Sequence, residues 1–269
     1  MKRYIILIFT ALIILSASAA DYLSLVEEAD KAIEASDWNR ADSLLVSAMQ
    51  LEPTNESNVM LLSNVGMLRF YAGRDSAAIE ALNEAHRIVP RSTTILANRA
   101  TVFLGTGRYA EALNDYNAIL QLDSLNADAR FNRGILLLRS GDIADATTDI
   151  LLLDSIAPGS YHADVAMGSL LSAKGCYEDA AIRYSHVIDI DPQPDYYAAR
   201  ALCYLMTDRL ADASSDIAAG LEIDPEDGEL YLYRAVLNKM RYRPDDADAD
   251  ARRAIALGID PKRAASLLH

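Results

Sequence analysis

The stretch RFNRGILLLRSGDIADATTDI, Arg130 to Ile150, reads as two helix-like runs joined at Ser140-Gly141-Asp142. Leu136, Leu137 and Leu138 in the first run demand burial, and the Gly-Asp junction supplies a turn. Gly134 in the first run and Ala146 in the second are small, and two helices folded back on each other approach closely only where side chains are small. Arg133 and Asp149 stand 16 residues apart, eight to either side of Gly141. An antiparallel hairpin turning at Gly141 sets them level.

Working outward, the same pattern recurs along the chain. With Gly134 placed at position 8 of a unit that starts at Ala127, units start at Tyr22, Val59, Thr93, Ala127, Tyr161, Pro194 and Gly228. Most are 34 residues apart; unit five is one residue short, and residues 56–58 are an insertion after unit one. Position 8 is Ala or Gly in every unit (Ala29, Gly66, Ala100, Gly134, Gly168, Ala201, Ala235), and position 20 is always Ala. Position 24 is large and apolar in six units: Leu45, Leu82, Tyr116, Ile150, Tyr184 and Ile217. Pro53, Pro90, Pro158, Pro192 and Pro225 share position 32, where proline stops the second helix.

The ionic pair recurs as well. Arg99, Arg133, Arg200 and Arg234 hold position 7 of units three, four, six and seven, and Asp115, Asp149, Asp216 and Asp250 hold position 23 of the same units. The other three units have neither. This co-occurrence predicts partly buried, bidentate Arg–Asp pairs across the hairpins, structural rather than catalytic, since no acid–base partner repeats beside them.

Seven units in this register resemble the tetratricopeptide repeat family, over residues 22–261. The resemblance implies an all-α, right-handed solenoid of about seven helix-turn-helix repeats, with a short capping segment over 262–269 in which Leu267 and Leu268 pack back. The departures lie mainly towards the ends. The mid-unit glycine of units two to five (Gly73, Gly107, Gly141, Gly175) is Ser36 in unit one, Asp208 in unit six and Tyr242 in unit seven. Unit seven also has Ile259 at position 32. Atypical ends suit terminal repeats.

Composition agrees with a packed helical body. The 269 residues are 51% hydrophobic, with only 12 Gly and 8 Pro, and the apolar residues recur at three and four. Residues 1–20 are different: Lys2 and Arg3 precede the apolar run YIILIFTALIIL and the small-residue segment SASAA. This reads as a secretory signal peptide cleaved before Ala20 or Asp21. Its twelve residues, apolar apart from Thr10, span roughly 18 Å as a helix, short of a bilayer core of about 30 Å. The expectation is an exported protein, periplasmic or secreted, with no membrane insertion after cleavage. Cleavage removes Lys2 and Arg3 and takes the formal charge from −14 to −16. So acidic a body does not point to nucleic acid or anionic membranes.

Chemistry-bearing constellations are missing from the pattern. His86, His162, His186 and His269 are scattered, without metal-ligand spacing. Asp245 to Arg253 (DDADADARR) lacks the loop Gly and closing Glu of a calcium hand and reads as an acidic helix start. No phosphate-cradling loop or serine elbow is present. The sequence therefore implies no enzyme, no cofactor and no metal. Cys176, in the turn of unit five, and Cys203, in the first helix of unit six, leave a disulfide open beside two free thiols.

The resemblance implies that the first helices line a concave groove for a partner segment, at positions 2, 5, 6, 9, 12 and 13. Position 6 is Asn64, Asn98 and Asn132 in units two to four. An Asn amide donates to and accepts from the backbone of an extended peptide; the plainer reading is an inherited residue on a solvated face. Phe131 is the apolar anchor of this face, Thr101 a polar neighbour, and Arg139 its one cation within those units. A basic clamp for a terminal carboxylate is not visible there. The expected function is a non-enzymatic scaffold that holds another protein or peptide segment in an exported envelope assembly. The alternatives are a self-associating structural solenoid or a non-catalytic subunit of an envelope enzyme complex.

Overall fold

A computed structural model describes residues 19–268. The leader assigned to residues 1–20 lies, but for its last two residues, outside that range. Helix α1 covers residues 19–34 of the described chain. Then follow α2 (Trp38–Leu51), α3 (Asn58–Tyr71), α4 (Asp75–Ile88), α5 (Thr93–Gly105), α6 (Tyr109–Leu122), α7 (Ala127–Ser140) and α8 (Ile143–Ile156). The remainder are α9 (Tyr161–Ala173), α10 (Tyr177–Ile190), α11 (Pro194–Met206), α12 (Leu210–Ile223), α13 (Gly228–Met240), α14 (Pro244–Ala256) and α15 (Pro261–Leu268). The fold is an all-α repeat solenoid built from helix pairs.

Local chemistry explains where each helix begins and ends. Ser92, Ser160 and Asp227 stand just ahead of α5, α9 and α13, and each side-chain oxygen accepts the backbone N–H three residues on. Pro194 and Pro244 occupy first-turn positions, where a missing N–H costs nothing. Within each pair, the residue before the second helix's N-cap turns the chain in the left-handed region. Gly73, Gly107, Gly141 and Gly175 do this at φ between 72° and 86°. Ser36, Asp208 and Tyr242 adopt the same conformation, at 56°, 57° and 58°, without glycine's freedom.

Helices within a pair meet through their small residues. Ala41, Ala78, Ala112, Ala146, Ala180 and Ala213 are wholly buried. A Cβ on Gly66 would stand 2.5 Å from Leu82 Cγ, so α3 and α4 could not keep their spacing with any other residue there. Against these flat places lie Leu45, Leu82, Tyr116, Ile150, Tyr184 and Ile217, all buried. Each such side chain contributes about 1.5–3 kcal/mol by leaving water.

The chain forms two compact halves, divided after Ala129. In the first, Tyr22, Leu45, Leu61, Val65 and Leu68 belong to one core cluster. The inserted segment before α3 has a packing role: the Asn58 amide donates to the Glu52 carbonyl at 2.7 Å and accepts from the Tyr22 hydroxyl. In the second half, Ile217, Leu230, Tyr233 and Leu237 knit α11 to α13. The last helix departs from expectation. Leu267 is 38% exposed, and Ala264 is the residue that α15 buries, against Leu232 and Ala254. A small residue lets the helix lie close enough to cover those two, which a leucine at its crossing point would prevent.

Candidate partner-binding site

The arginine–aspartate pairs are bidentate. Arg133 donates from Nε and Nη2 to the two Asp149 oxygens at 2.6 and 2.7 Å. Arg99–Asp115, Arg200–Asp216 and Arg234–Asp250 repeat this geometry at 2.6 to 2.9 Å. The remaining donors are used too: Arg99 Nη1 reaches Asn83 and Arg200 Nη1 reaches Ser185. Hydrogen bonds to the aspartates raise the pKa values of Arg133, Arg200 and Arg234 above the usual arginine value. Each guanidinium thus spends its fork on an aspartate across the hairpin, a geometry that holds the two helices together.

The 16-residue spacing overlooks further ion pairs, in unit four and in the units without that pair. Asp149 takes a second arginine, Arg130, at 2.8 Å across a 19-residue separation. Unit five inverts that second contact: Arg183 stands where Asp149 does and donates to Asp164, also 19 residues away, at 2.7 Å. Asp164 is only 1% exposed, and Arg183 also holds Asp154. Between units one and two, Asp42 pairs with Arg69 and Arg74. Position 4, Arg130 in unit four and Asp164 in unit five, was the signal that could have revealed the inversion.

The residues expected to meet a partner are dispersed between the halves. Asn64, Asn98 and Thr101 belong to the first. Asn64 is exposed, and Thr101 is exposed with its hydroxyl turned back onto the Ala97 carbonyl. Asn98 already has a partner inside the fold: its amide donates at 3.0 Å to the hydroxyl of Ser63, which is fully buried. Asn132, Phe131 and Arg139 belong to the second half. Arg139 is exposed and Asn132 half-buried. Phe131 stacks on His162 of the next first helix, with ring centroids 4.4 Å apart. The anchor is thus partly occupied by its own neighbour. Cys176 and Cys203 are both free, the first exposed and the second buried, so the disulfide left open by the sequence is absent. Burial pushes the Cys203 thiol up and keeps it inert.

A cavity of about 280 Å³ opens elsewhere, on the first-helix face of units five to seven. Ser172 of α9, Asp195, Ala198, Ala199 and Leu202 of α11, Glu229 and Tyr233 of α13, Tyr184 of α10 and Arg263 of α15 line it. Ala198 and Ala199 make the space: positions 5 and 6 are Phe131-Asn132 in unit four and Leu232-Tyr233 in unit seven. Arg263 holds Glu229 through both terminal nitrogens. Burial, followed by the Glu229 carboxylate, pushes the Tyr233 phenol up to about 12, so it stays a neutral donor. Among the described residues there is no group of three side chains able to hold a metal ion.

Similarity to known proteins agrees with this architecture. A tetratricopeptide repeat family model matches residues 98–160. The crystal structure of a tetratricopeptide repeat protein from Parabacteroides merdae superposes with a TM-score of 0.74 at 26% identity, covering 93% of this chain and 98% of that one. Among curated relatives, a DnaJ homolog subfamily C member 7 homolog from Dictyostelium discoideum is 22% identical over 256 residues, 86% of this chain and 47% of that protein. A tetratricopeptide repeat and J domain-containing co-chaperone from Cryptococcus neoformans is 31% identical over 99 residues, 37% of this chain and 19% of that protein. The chain thus spans less than half the length of these curated relatives. Helix pairs in a 34-residue register, small residues where they cross and likeness to a solved repeat protein over nearly the whole chain point one way: the fold is a tetratricopeptide repeat solenoid, and the chain is similar to proteins of that family.

Proposed function

We propose that this protein is a non-enzymatic scaffold that holds a segment of another protein against the first-helix face of α9, α11 and α13. The cavity on that face carries the reading. It combines apolar walls with a few convergent polar groups, the makeup of a recognition site. The ion pairs elsewhere serve the fold, and no acid–base partner repeats beside them in the sequence. The formal charge of −14 speaks against nucleic acid as the ligand. Tetratricopeptide repeat proteins generally act as protein–protein interaction scaffolds, and relatives of this chain include a co-chaperone by name. We place the protein in an exported compartment, on the strength of the basic start, apolar run and SASAA segment of residues 1–20. N-terminal mass determination of the native protein tests that: a start at Ala20 or Asp21 supports export, and retention of Met1 contradicts cleavage.

The binding face is tested by photo-crosslinking in intact cells. A photoreactive residue at Leu202, in the cavity, should give adducts with another protein. The same residue at Ile182, exposed on α10 away from the cavity lining, should not. Adducts at Ile182 alone would move the binding face to the second helices. Adducts at Leu202 with the mass of a second copy would replace the scaffold with self-assembly.

A further inference from the structure

The cavity between α11, α13 and α15 holds two carboxylates and one cation. Arg263 satisfies Glu229, whereas Asp195 is exposed at the cavity lining with no ion pair among the described residues. We propose that this cavity takes the arginine or lysine side chain of a basic partner segment, with Asp195 and Glu229 receiving the charge and Arg263 as the resident cation that it displaces. This rests on the scaffold reading above and adds the chemistry of the partner.

Shape, surroundings and charge support the assignment. At about 280 Å³ the cavity lies just below the usual range for drug-sized ligands, so it suits one long side chain rather than a cofactor. Ala198, Ala199 and Leu202 offer an apolar wall for a methylene stem, while the charged head stays at the wet end with the carboxylates. The Tyr233 ring adds a face that favours a cation. Arg263 shows that a guanidinium sits well here, since it meets Glu229 with both terminal nitrogens. That pair is nevertheless replaceable: its two side chains are 44% and 36% exposed, and half-exposed pairs contribute little. An incoming cation that meets both Asp195 and Glu229 gains one carboxylate more than Arg263 has. The acidic body also draws a basic segment towards it.

The test uses the full chain and two blocked, fluorescently labelled peptides of equal length, one alternating Ala with Arg and the other Ala with Glu. Fluorescence anisotropy should show binding of the Arg peptide and none of the Glu peptide. Asp195→Asn should weaken the Arg peptide about tenfold, the loss of one charge-assisted contact. Asp248→Asn removes an equal charge from the exposed face of α14 and should leave binding unchanged. Arg263→Ala, with melting checked, should strengthen binding roughly two- to fivefold by removing the competitor. Equal binding of both peptides, or equal losses in Asp195→Asn and Asp248→Asn, would overturn the proposal in favour of general charge attraction. Unchanged or weaker binding by Arg263→Ala would overturn the displacement. None of these outcomes touches the crosslinking at Leu202. Adducts there with no preference for the Arg peptide sink the cation pocket and leave the scaffold standing, whereas absence of adducts sinks the scaffold.

Discussion

Asp149 accepts three hydrogen bonds from two arginines while fully shielded from water. Its removal therefore takes a shared carboxylate from two guanidinium groups, one of them on the buried Arg130. Asp149→Ala should cost about 3–5 kcal/mol in urea unfolding. Arg133→Ala should cost clearly less, because Arg130 continues to neutralise the carboxylate. The double variant should recover little, since Arg130 still loses its bond to the Asp149 carboxylate; full recovery would mean that Arg130 is the weaker partner. Asn98 is a second case where the contact decides against propensity. Ala is the better helix former, yet Asn98→Ala leaves the buried Ser63 hydroxyl without its donor. It should lower stability by about 1 kcal/mol, while Asn64→Ala, at an exposed site, should be neutral or slightly stabilising in thermal melting. The sequence exposes the 16-residue arginine–aspartate rule because it recurs unchanged. It hides the Arg183–Asp164 pair because an inverted charge at a different spacing breaks the pattern while preserving the physics.

At the scale of the helix pair, every turn requires one left-handed residue, and three pairs lack the glycine that takes that conformation freely. Ser36, Asp208 and Tyr242 bear the strain of a side chain at positive φ, a cost of roughly 1–2 kcal/mol offset by the greater freedom that glycine has when unfolded. Tyr242 is the cleanest test, being 93% exposed with little packing to lose. Tyr242→Gly should stabilise the protein by about 0.5–1 kcal/mol, seen as a rise of a few degrees in Tm. Gly107→Ala, at φ 72°, should destabilise by a similar amount. An added Cβ at Gly107 meets no atom within 4 Å, so backbone conformation alone sets that effect. The helical pairing itself is legible in the sequence because small residues, prolines and turn glycines each mark a fixed place. The turn conformation at Ser36, Asp208 and Tyr242 is not legible from those residues, none of which marks it as glycine does; the closing of the hairpin imposes it.

Across the whole molecule, a repeat protein adds its stability from one pair to the next, so damage at one end should stay there. The cavity on the first-helix face was hidden from sequence reading for the same reason that end effects are: Ala198 and Ala199 make a void only because of the sizes of Leu202, Tyr184 and Tyr233 around them. Helix α15 closes its region in three ways. It buries Leu232 and Ala254 beneath Ala264, it pairs Arg263 with Glu229, and its Leu268 carbonyl accepts from Lys239. Deleting residues 261–269 uncovers two side chains that are otherwise wholly shielded and releases both polar contacts of α13. Amide hydrogen exchange should then accelerate throughout α13 and α14, the helices that contact α15. Exchange in α3 to α6, which belong to the other compact half, should keep its original rate. Loss of protection along the entire chain would instead mean that the repeats unfold as one block, and that α15 contributes to the stability of every pair rather than to its neighbours alone.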